Sequence, residues 1–331
     1  MTSPRRSVGL TPMETRRDII VRAAVLADEL GYESFSVPEG WGLDSTPVLT
    51  EIALRTTRIQ VTSGVLSVWG RTPATLAMTA ATLHQVSAGR YVLGLGASTR
   101  ALTEGFHDIP FERPAARLRD VVTQVRALLD GLPAQPRVPA ARPLRLGQPP
   151  VPGLPIWIAA LGQHTINVAA ELGDGWMPAL VARDRVAVWA DQLRQRRETV
   201  APHAAALTVA AGPITVADED PDTARDIAAT CAAWYLSAMG DVYARSLAGQ
   251  GYAAEVAAVI AANPRPSPRR GTVPPEARVI LDQLAAYGTP DQVREQLEPW
   301  HQVGDVVVVI LPPGLPWGTI EATLRAAAPG A

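Results

Sequence analysis

Short strand-like runs alternate with helical patterns from one end of this 331-residue chain to the other. Eight apolar or β-branched runs predict strands at residues 7–10, 34–37, 59–65, 91–95, 156–159, 175–177, 207–211 and 306–310. The last run is unbroken valine and isoleucine, which is typical of a parallel strand covered on both faces. This order predicts an α/β fold, a (β/α)8 TIM barrel. A doubly wound open sheet is the alternative architecture.

Two helix starts are visible in the sequence. Thr72 precedes Pro73, and proline is favoured at the first position of a helix. Thr289 stands three residues before Gln292, the spacing of a capping box. We therefore predict helices that open at these two threonines.

The chain is predicted to form one barrel domain over residues 1–331. Two proline-rich stretches, at about 133–155 and 264–275, interrupt the pattern, but strands and helices resume on both sides of each. They are predicted to be long surface loop insertions, which in a barrel often border the active site. The helical stretch 222–262 is a candidate lid over the pocket.

Composition narrows the classes of function. The net charge is −2 and all 30 basic residues are arginines, so neither nucleic acid nor a membrane surface is an indicated partner, and lysine Schiff-base chemistry and a Walker lysine are excluded. The single cysteine permits no intrachain disulfide. With no signal-peptide or membrane-spanning pattern, the prediction is a cytoplasmic protein that acts on a small molecule.

Metal and serine-hydrolase chemistry have little support. The five histidines show no ligand spacing with other metal-binding residues, so no metal site is predicted. No Gly-x-Ser-x-Gly motif is present. Chemistry that depends on an organic cofactor is therefore favoured.

Small residues follow three of the predicted strands. They are Thr62–Ser63–Gly64–Val65, Gly94–Leu95–Gly96–Ala97–Ser98 and Ala159–Ala160–Leu161–Gly162–Gln163. Strand carboxyl ends are where α/β folds bind ligands, and exposed N–H groups there can hold a phosphate. The plain alternative is that these turns only close strands. Two such turns on neighbouring strands favour a shared anion site.

A longer series of motifs occurs in order and covers most of the chain: Ser36–Val37–Pro38–Glu39–Gly40–Trp41, Val61–Thr62–Ser63–Gly64–Val65, Ala77–Met78–Thr79–Ala80–Ala81–Thr82–Leu83, Ser87–Ala88–Gly89–Arg90 with Leu93–Gly94–Leu95–Gly96, Glu104–Gly105–Phe106–His107–Asp108–Ile109–Pro110–Phe111, Pro155–Ile156–Trp157–Ile158–Ala159, Leu172–Gly173–Asp174–Gly175–Trp176 and Gly288–Thr289–Pro290. This series resembles the luciferase-like monooxygenase superfamily, and within it the branch that uses the deazaflavin coenzyme F420.

This resemblance implies an F420 or FMN ring in the mouth of the barrel. It also implies a cis peptide bond between Gly64 and Val65, next to Ser63, that backs the ring. The implied phosphate contacts are Gly96, Ala97, Ser98, Ala160, Leu161, Gly162 and Gln163. A homodimer is a further implication, as is a separate cofactor reductase if the cofactor is flavin.

The sequence departs from the sugar-phosphate and alcohol dehydrogenases of the F420 branch. Those enzymes carry a histidine after the second strand and an acid after the fourth, where this chain has Gly40 and Thr99. We therefore predict a different hydride transfer, with Glu39 or His107 as proton donor. The plainer readings are an arginine partner or helix cap for Glu39 and a loop histidine for His107.

Two tryptophans and two arginines complete the predicted site. Trp41 and Trp69 are expected to shape the pocket wall, although packing alone would also explain them. Arg71 and Arg100 are candidates to meet an anionic coenzyme tail.

The predicted function is an F420-dependent oxidoreductase that moves a hydride between the deazaflavin and a small organic substrate, as a reductase. One alternative is an FMN-dependent monooxygenase that uses reduced flavin and oxygen. The other is a barrel that binds flavin without catalysis. The substrate is not specified by any residue.

Overall fold

Eleven parallel strands build the core of the molecule in a computed structural model that describes residues 5–330. They are β1 (Arg6–Leu10), β2 (Ser34–Val37), β3 (Gln60–Ser63), β4 (Leu66–Ser67), β5 (Tyr91–Gly96), β6 (Ile156–Ala159), β7 (Gly175–Trp176), β8 (Thr208–Ala211), β9 (Ile214–Ala217), β10 (Ala285–Gly288) and β11 (Val306–Leu311). Because β1 pairs with both β2 and β11, the sheet closes into a barrel.

Thirteen α-helices accompany the strands in this part of the chain. They are α1 (Arg17–Glu29), α2 (Ser45–Arg55), α3 (Pro73–Val86), α4 (Arg100–Gly105), α5 (Pro114–Leu129), α6 (Gln163–Leu172), α7 (Arg183–Val200), α8 (Pro221–Ala238), α9 (Val242–Leu247), α10 (Ala253–Ala262), α11 (Val279–Leu284), α12 (Pro290–Leu297) and α13 (Trp317–Ala326). The (β/α)8 barrel predicted from the sequence is confirmed. No helix among residues 5–330 is long and apolar enough to cross a membrane.

One predicted strand is interrupted, and another is followed closely by a strand, β9, that was not predicted from the sequence. The run 59–65 divides into β3 and β4 at Gly64. A second break, at Gly212 and Pro213, separates β8 from β9. A Cβ on Gly212 would lie 2.0 Å from the Val308 carbonyl oxygen, so only glycine lets the chain pass β11 this closely. The closed ring from β1 to β11 therefore has eight staves, of which β3–β4 and β8–β9 are broken, and β10 lies outside the ring, paired among the described residues only with β9.

Strand β10 was not predicted from the sequence. Its residues are Ala285, Ala286, Tyr287 and Gly288, which lack the β-branched character of the other strands. It pairs with β9, and β9 in turn pairs with β11 at one residue, Ile214. Tertiary pairing therefore creates a strand where local propensity is weak.

A small cluster of side chains packs inside the barrel. Its buried members, Val92, Trp157, Ala210 and Val306, come from four different strands. A Cβ on Gly175 would lie 2.6 Å from the Trp157 ring, so glycine at this position makes room for the indole. This cluster adjoins the cavity at the carboxyl-end mouth, which Ala210 also lines.

Both predicted helix starts are confirmed. The Thr72 hydroxyl accepts a hydrogen bond from the Thr75 N–H at 3.2 Å. In the capping box, the Thr289 N–H donates to Gln292 Oε1 at 2.9 Å, and the Gln292 N–H donates to the Thr289 hydroxyl at 3.4 Å. These bonds satisfy amide groups that a helix cannot satisfy itself.

The two predicted insertions differ from the rest of the chain. Residues 133–155 contain no helix or strand, and 264–274 contain only one isolated bridge, between Ser267 and Arg270. The candidate lid is helical: α8, α9 and α10 are separated by Gly240 and Gly251, which have φ values of 78° and 110°. The assignment of the whole chain to one domain stays a prediction.

Asp28, near the end of α1, ties that helix to the segment that enters β3. Its carboxylate accepts backbone N–H bonds from Thr57, Arg58 and Ile59 at 3.0, 3.0 and 2.7 Å. Burial by itself raises the pKa of the Asp28 carboxyl, but these bonds outweigh it and lower the pKa below its ordinary value.

The substitution Asp28→Asn is expected to lower the free energy of unfolding at neutral pH by about 2 kcal/mol, because hydrogen bonds to the charged carboxylate are lost. Since the pKa of Asp28 is depressed in the folded protein, its contribution is present above the ordinary carboxyl pKa and is lost as pH falls through the folded value. Urea unfolding at several pH values measures this. Glu29→Gln, at the exposed neighbour, is the control, and an equal loss in both variants would contradict the assignment.

Candidate active site

A cavity of about 400 Å³ opens at the carboxyl-end mouth of the barrel. Its wall is formed by residues at or after the ends of the barrel strands and by side chains from α8 and α9. Of the thirteen residues predicted for the site, nine line the cavity: Glu39, Gly64, Val65, Gly96, Ala97, Ser98, Ala160, Leu161 and Gly162. This is the end of the barrel where TIM-barrel enzymes carry their active sites.

The cis peptide bond between Gly64 and Val65 is present, as the resemblance implied. The Gly64 N–H donates to the Val37 carbonyl at 2.9 Å, and the Val65 carbonyl accepts from the Glu39 N–H at 3.3 Å. Both residues line the cavity. The break between β3 and β4 is therefore hydrogen-bonded to β2 and to the residue that follows Pro38.

Ser63 lies behind this bulge and does not line the cavity. It is fully buried, and its hydroxyl donates to the Gly94 carbonyl at 3.0 Å. The same oxygen accepts from the Gly94 N–H at 2.8 Å and from the Tyr91 hydroxyl at 3.1 Å. Burial raises the pKa of Tyr91, which keeps its hydroxyl protonated as a donor. Ser63 thus joins β3 to β5.

Three glycines permit close packing around the bulge. A Cβ on Gly94 would lie 1.9 Å from the Ser63 carbonyl oxygen. A Cβ on Gly96 would lie 2.7 Å from a methyl of Val65, and one on Gly64 would lie 2.8 Å from the Ser36 Cβ. Real Cβ atoms do not approach other atoms this closely, so each glycine is required by its neighbour.

Unpaired backbone N–H groups follow β5 and β6. These strands are adjacent, with Gly96 opposite Ala159. Among residues 5–330, the N–H groups of Ala97, Ser98, Leu161 and Gly162 donate no hydrogen bond. Helix α6 begins directly afterwards without a side-chain cap. Free N–H groups and a helix amino terminus favour an anion at this part of the cavity.

Glu39 lines the cavity with both carboxylate oxygens engaged by Arg71. One guanidinium nitrogen of Arg71 forms a short bond to Glu39, and the other donates to Glu39 at 2.7 Å and to Asp44 at 2.9 Å. The hydrogen bonding that Arg71 donates to Glu39 is the main cause that raises the pKa of Arg71. This pairing matches the plain alternative for Glu39, and Arg71 already has two carboxylate partners.

Comparison with known proteins now assigns the family. The profile of the family described as luciferase-like monooxygenase matches residues 1–306. The chain belongs to the luciferase-like monooxygenase family.

The proteins that this chain is similar to include an oxidoreductase, a reductase and a monooxygenase. A Mycobacterium tuberculosis protein named as a coenzyme F420-dependent oxidoreductase is 26% identical, with coverage of 91% of this chain and 92% of that protein. The structure of a coenzyme F420-dependent tetrahydromethanopterin reductase from Methanopyrus kandleri matches with a TM-score of 0.76 and 20% identity, covering 99% and 98% of the two chains. The oxygenating component of a Pseudomonas putida Baeyer–Villiger monooxygenase, in complex with FMN, matches with a TM-score of 0.67 and 14% identity, covering 99% and 98%.

Three other residues predicted for the luciferase-like site lie outside the cavity wall. Trp41 is 44% exposed. His107 stacks edge-on against Phe106, and its ring approaches Gly70. Gln163 donates its side-chain amide to Asn167 at 3.2 Å. The cofactor-binding role of Gln163 and the catalytic roles of Trp41 and His107 stay predictions, and these positions do not bring the side chains to the cavity.

The remaining aromatic and cationic predictions have other contacts. Trp69 does not line the cavity; it donates its indole N–H to the Ala97 carbonyl at 2.8 Å and packs against Phe111. It therefore supports the loop that carries two of the unpaired N–H groups. Arg100 is ion-paired with Glu104 and lies over the Phe111 ring.

The two departures from the F420-dependent dehydrogenases have structural explanations. A Cβ on Gly40 would lie 2.8 Å from the Pro12 Cβ, so a histidine cannot stand there without movement of the β1 loop. The Thr99 hydroxyl caps α4 by accepting from the Leu102 N–H at 3.3 Å. Neither position carries a group suited to acid–base chemistry.

Sequence reasoning missed two tyrosines in the cavity wall. Tyr235, on α8, and Tyr243, on α9, both line the cavity. Their rings meet edge to face, with centroids 5.1 Å apart. The signal in the sequence was their position in the candidate lid, because their contact with the barrel depends on the 67 residues, 218–284, that fold back between β9 and β10.

A second cavity of similar volume shares no residue with the first. It is polar and lies between the amino-terminal turns of α7 and α8, α11 and the edge strand β10, with arginines at 183, 225 and 278. None of the residues predicted for the site lies there. The chemistry of the family is therefore expected at the barrel mouth.

The substitution Gly94→Ala is expected to lower the free energy of unfolding by about 3 kcal/mol or more, because the new methyl group overlaps the Ser63 backbone. Gly162→Ala is the matched control at the end of the next strand, where the nearest atom is 3.8 Å away, and should change stability by less than about 0.5 kcal/mol. Chemical denaturation measures both. Equal stability of the two variants would refute the close approach of β3 and β5.

Proposed function

We propose that the protein is an F420-dependent oxidoreductase that reduces a small organic substrate by hydride transfer. The proposal rests mainly on the mouth cavity, whose wall contains both the Gly64–Val65 bulge and two sets of unpaired N–H groups. The choice of cofactor is supported by the Mycobacterium tuberculosis protein named as an F420-dependent oxidoreductase, which aligns with this chain over 92% of its length.

The residues present fit such a cofactor. Gly64 and Val65 offer a flat backbone surface without long side chains, suited to the face of a planar ring. The N–H groups of Ala97, Ser98, Leu161 and Gly162 would hold a phosphate, since no acceptor in the described chain satisfies them. F420 supplies a two-electron hydride when bound, and the protein contributes binding and alignment.

The chain's own residues would then exclude water from the site. The cavity wall away from the N–H groups is largely aliphatic and aromatic, with Leu180, Ile214, Met239, Val308 and Ile310. Such a wall keeps the substrate dry during hydride transfer. Glu39 is best assigned as the residue that holds Arg71 beside the bulge, since both of its oxygens are occupied.

An FMN-dependent monooxygenase is the second candidate. The Pseudomonas putida protein with bound FMN has the same fold, and the N–H groups would accept an FMN phosphate equally well. That chemistry would use oxygen and a separate reductase as a partner. A homodimer and a cytoplasmic location also remain proposals from the family resemblance, as does the third alternative of a barrel that binds flavin without turnover.

Equilibrium titration of the purified protein with F420 and, separately, with FMN distinguishes these candidates. Quenching of each cofactor's fluorescence reports binding. We expect F420 to bind at least tenfold more tightly than FMN. The reverse order would support the monooxygenase, and binding of neither would remove both proposals.

A second measurement locates the cofactor. Gly162→Leu is expected to preserve the fold, because the glycine has negative φ and its Cβ direction is open, yet the side chain would enter the cavity. We expect F420 affinity to fall at least tenfold. Gly105→Leu, also in open space but outside the cavity, should bind F420 like the parent. Undiminished binding by Gly162→Leu would place the cofactor elsewhere.

A further inference from the structure

Two tyrosine hydroxyls in the cavity wall have no partner in the protein. Tyr235 is only 8% exposed, and Tyr243 is half-buried. Neither hydroxyl forms a hydrogen bond with any residue of the described chain, although both residues line the cavity. The ring of Tyr235 is buried but its hydroxyl is not sealed inside the protein, so in the cavity wall it is free to donate a hydrogen bond to a bound molecule.

The two charged side chains of the cavity wall are already paired. Glu39 is bound to Arg71, and Arg245 donates to Asp241 at 3.0 Å and is 74% exposed at the rim. The other wall residues are apolar, small or hydroxylic. Around Tyr235 the neighbours in the same buried cluster include Leu180, Ile214 and Met239. A charged substrate group would lack a partner there.

Burial keeps both hydroxyls protonated. It raises the pKa of Tyr235 well above its ordinary value and raises the pKa of Tyr243 to about 12. At neutral pH each tyrosine is therefore a neutral O–H donor. This state suits a neutral acceptor such as a carbonyl oxygen.

We propose that Tyr235 and Tyr243 hold the oxygen of the substrate, and that the substrate is a neutral, largely apolar carbonyl compound. The inference deepens the proposed function and rests on it for the direction of reaction. Tyr235, which is the more buried of the two, orients the carbonyl group. Tyr243, which is closer to solvent, donates the proton.

The chemical step balances with the reductant of the proposed function. The carbonyl carbon gains a hydride from the reduced deazaflavin, which is thereby oxidised by two electrons. The C=O π bond breaks, and its electron pair moves to oxygen, which takes the Tyr243 proton to give an alcohol. Water then returns a proton to the Tyr243 oxygen.

Binding of acetophenone labelled with ¹³C at the carbonyl tests this assignment without turnover. Its dissociation constant is measured by calorimetry with the F420-free protein and with the protein loaded with oxidised F420. Infrared difference spectra report the carbonyl stretch, which falls in frequency when the oxygen accepts a hydrogen bond. Benzoate and ethylbenzene serve as a charged ligand and a ligand without an acceptor.

We expect acetophenone to bind more tightly than either comparison ligand, with its carbonyl band shifted to lower frequency. Tyr235→Phe and Tyr243→Phe should each weaken acetophenone binding about fivefold to tenfold and reduce the band shift, while ethylbenzene binding is unchanged. Tyr252→Phe is the control: its hydroxyl bonds to Asp184 outside the cavity, and its loss should leave both readouts unchanged. Melting curves establish that all three variants fold.

Two results would overturn the inference. One is a dissociation constant for acetophenone that is no lower than that for benzoate. The other is a band shift and affinity that persist in both cavity variants. A protein that fails to bind F420 yet binds acetophenone through the two hydroxyls would remove the proposed function and leave the tyrosine assignment standing. Normal F420 binding, with acetophenone affinity unchanged in Tyr235→Phe and Tyr243→Phe, would remove the tyrosine assignment and leave the proposed function standing.

Discussion

The architecture of the mouth depends on one contact between backbones, where the Ser63 carbonyl lies against Gly94. A Cβ atom on residue 94 would lie only 1.9 Å from the Ser63 carbonyl oxygen. This approach lets the Ser63 hydroxyl bond to both the N–H and the carbonyl of Gly94. The position of the Gly64–Val65 bulge, and with it one wall of the cavity, follows from that arrangement.

The barrel and much of the site wall were predictable because they are encoded locally. Alternating strand and helix patterns gave the eight staves, and small residues at strand ends marked Gly64, Gly96 and Gly162 as backbone exposed to a ligand. These signals need only a few neighbouring residues. The cis bond came from the resemblance to the family, since no local pattern specifies it.

Features that depend on long-range contacts were not predictable in the same way. The partner of Glu39 is Arg71, which is 32 residues away, and nothing in either local sequence specifies the pair. His107 belongs to a family-like motif, yet the turn after α4 carries it away from the cavity. Tyr235 and Tyr243 reach the mouth only because α8 packs on β9 and β10. Strand β10 itself has a weak local signal for the same reason.

The separation of the buried residues into distinct clusters has a consequence for divergence within the family. The bulge and the N–H groups belong to the staves of the barrel, whereas Tyr235, Met239 and their neighbours belong to a second cluster built on β9, β10 and α8–α11. Point changes in that second cluster alter the contacts offered to a guest molecule without repacking the staves. A lineage, or a directed-evolution library confined to residues 221–284, can thus change which molecules fit the cavity while the bulge and the unpaired N–H groups of the barrel stay as they are.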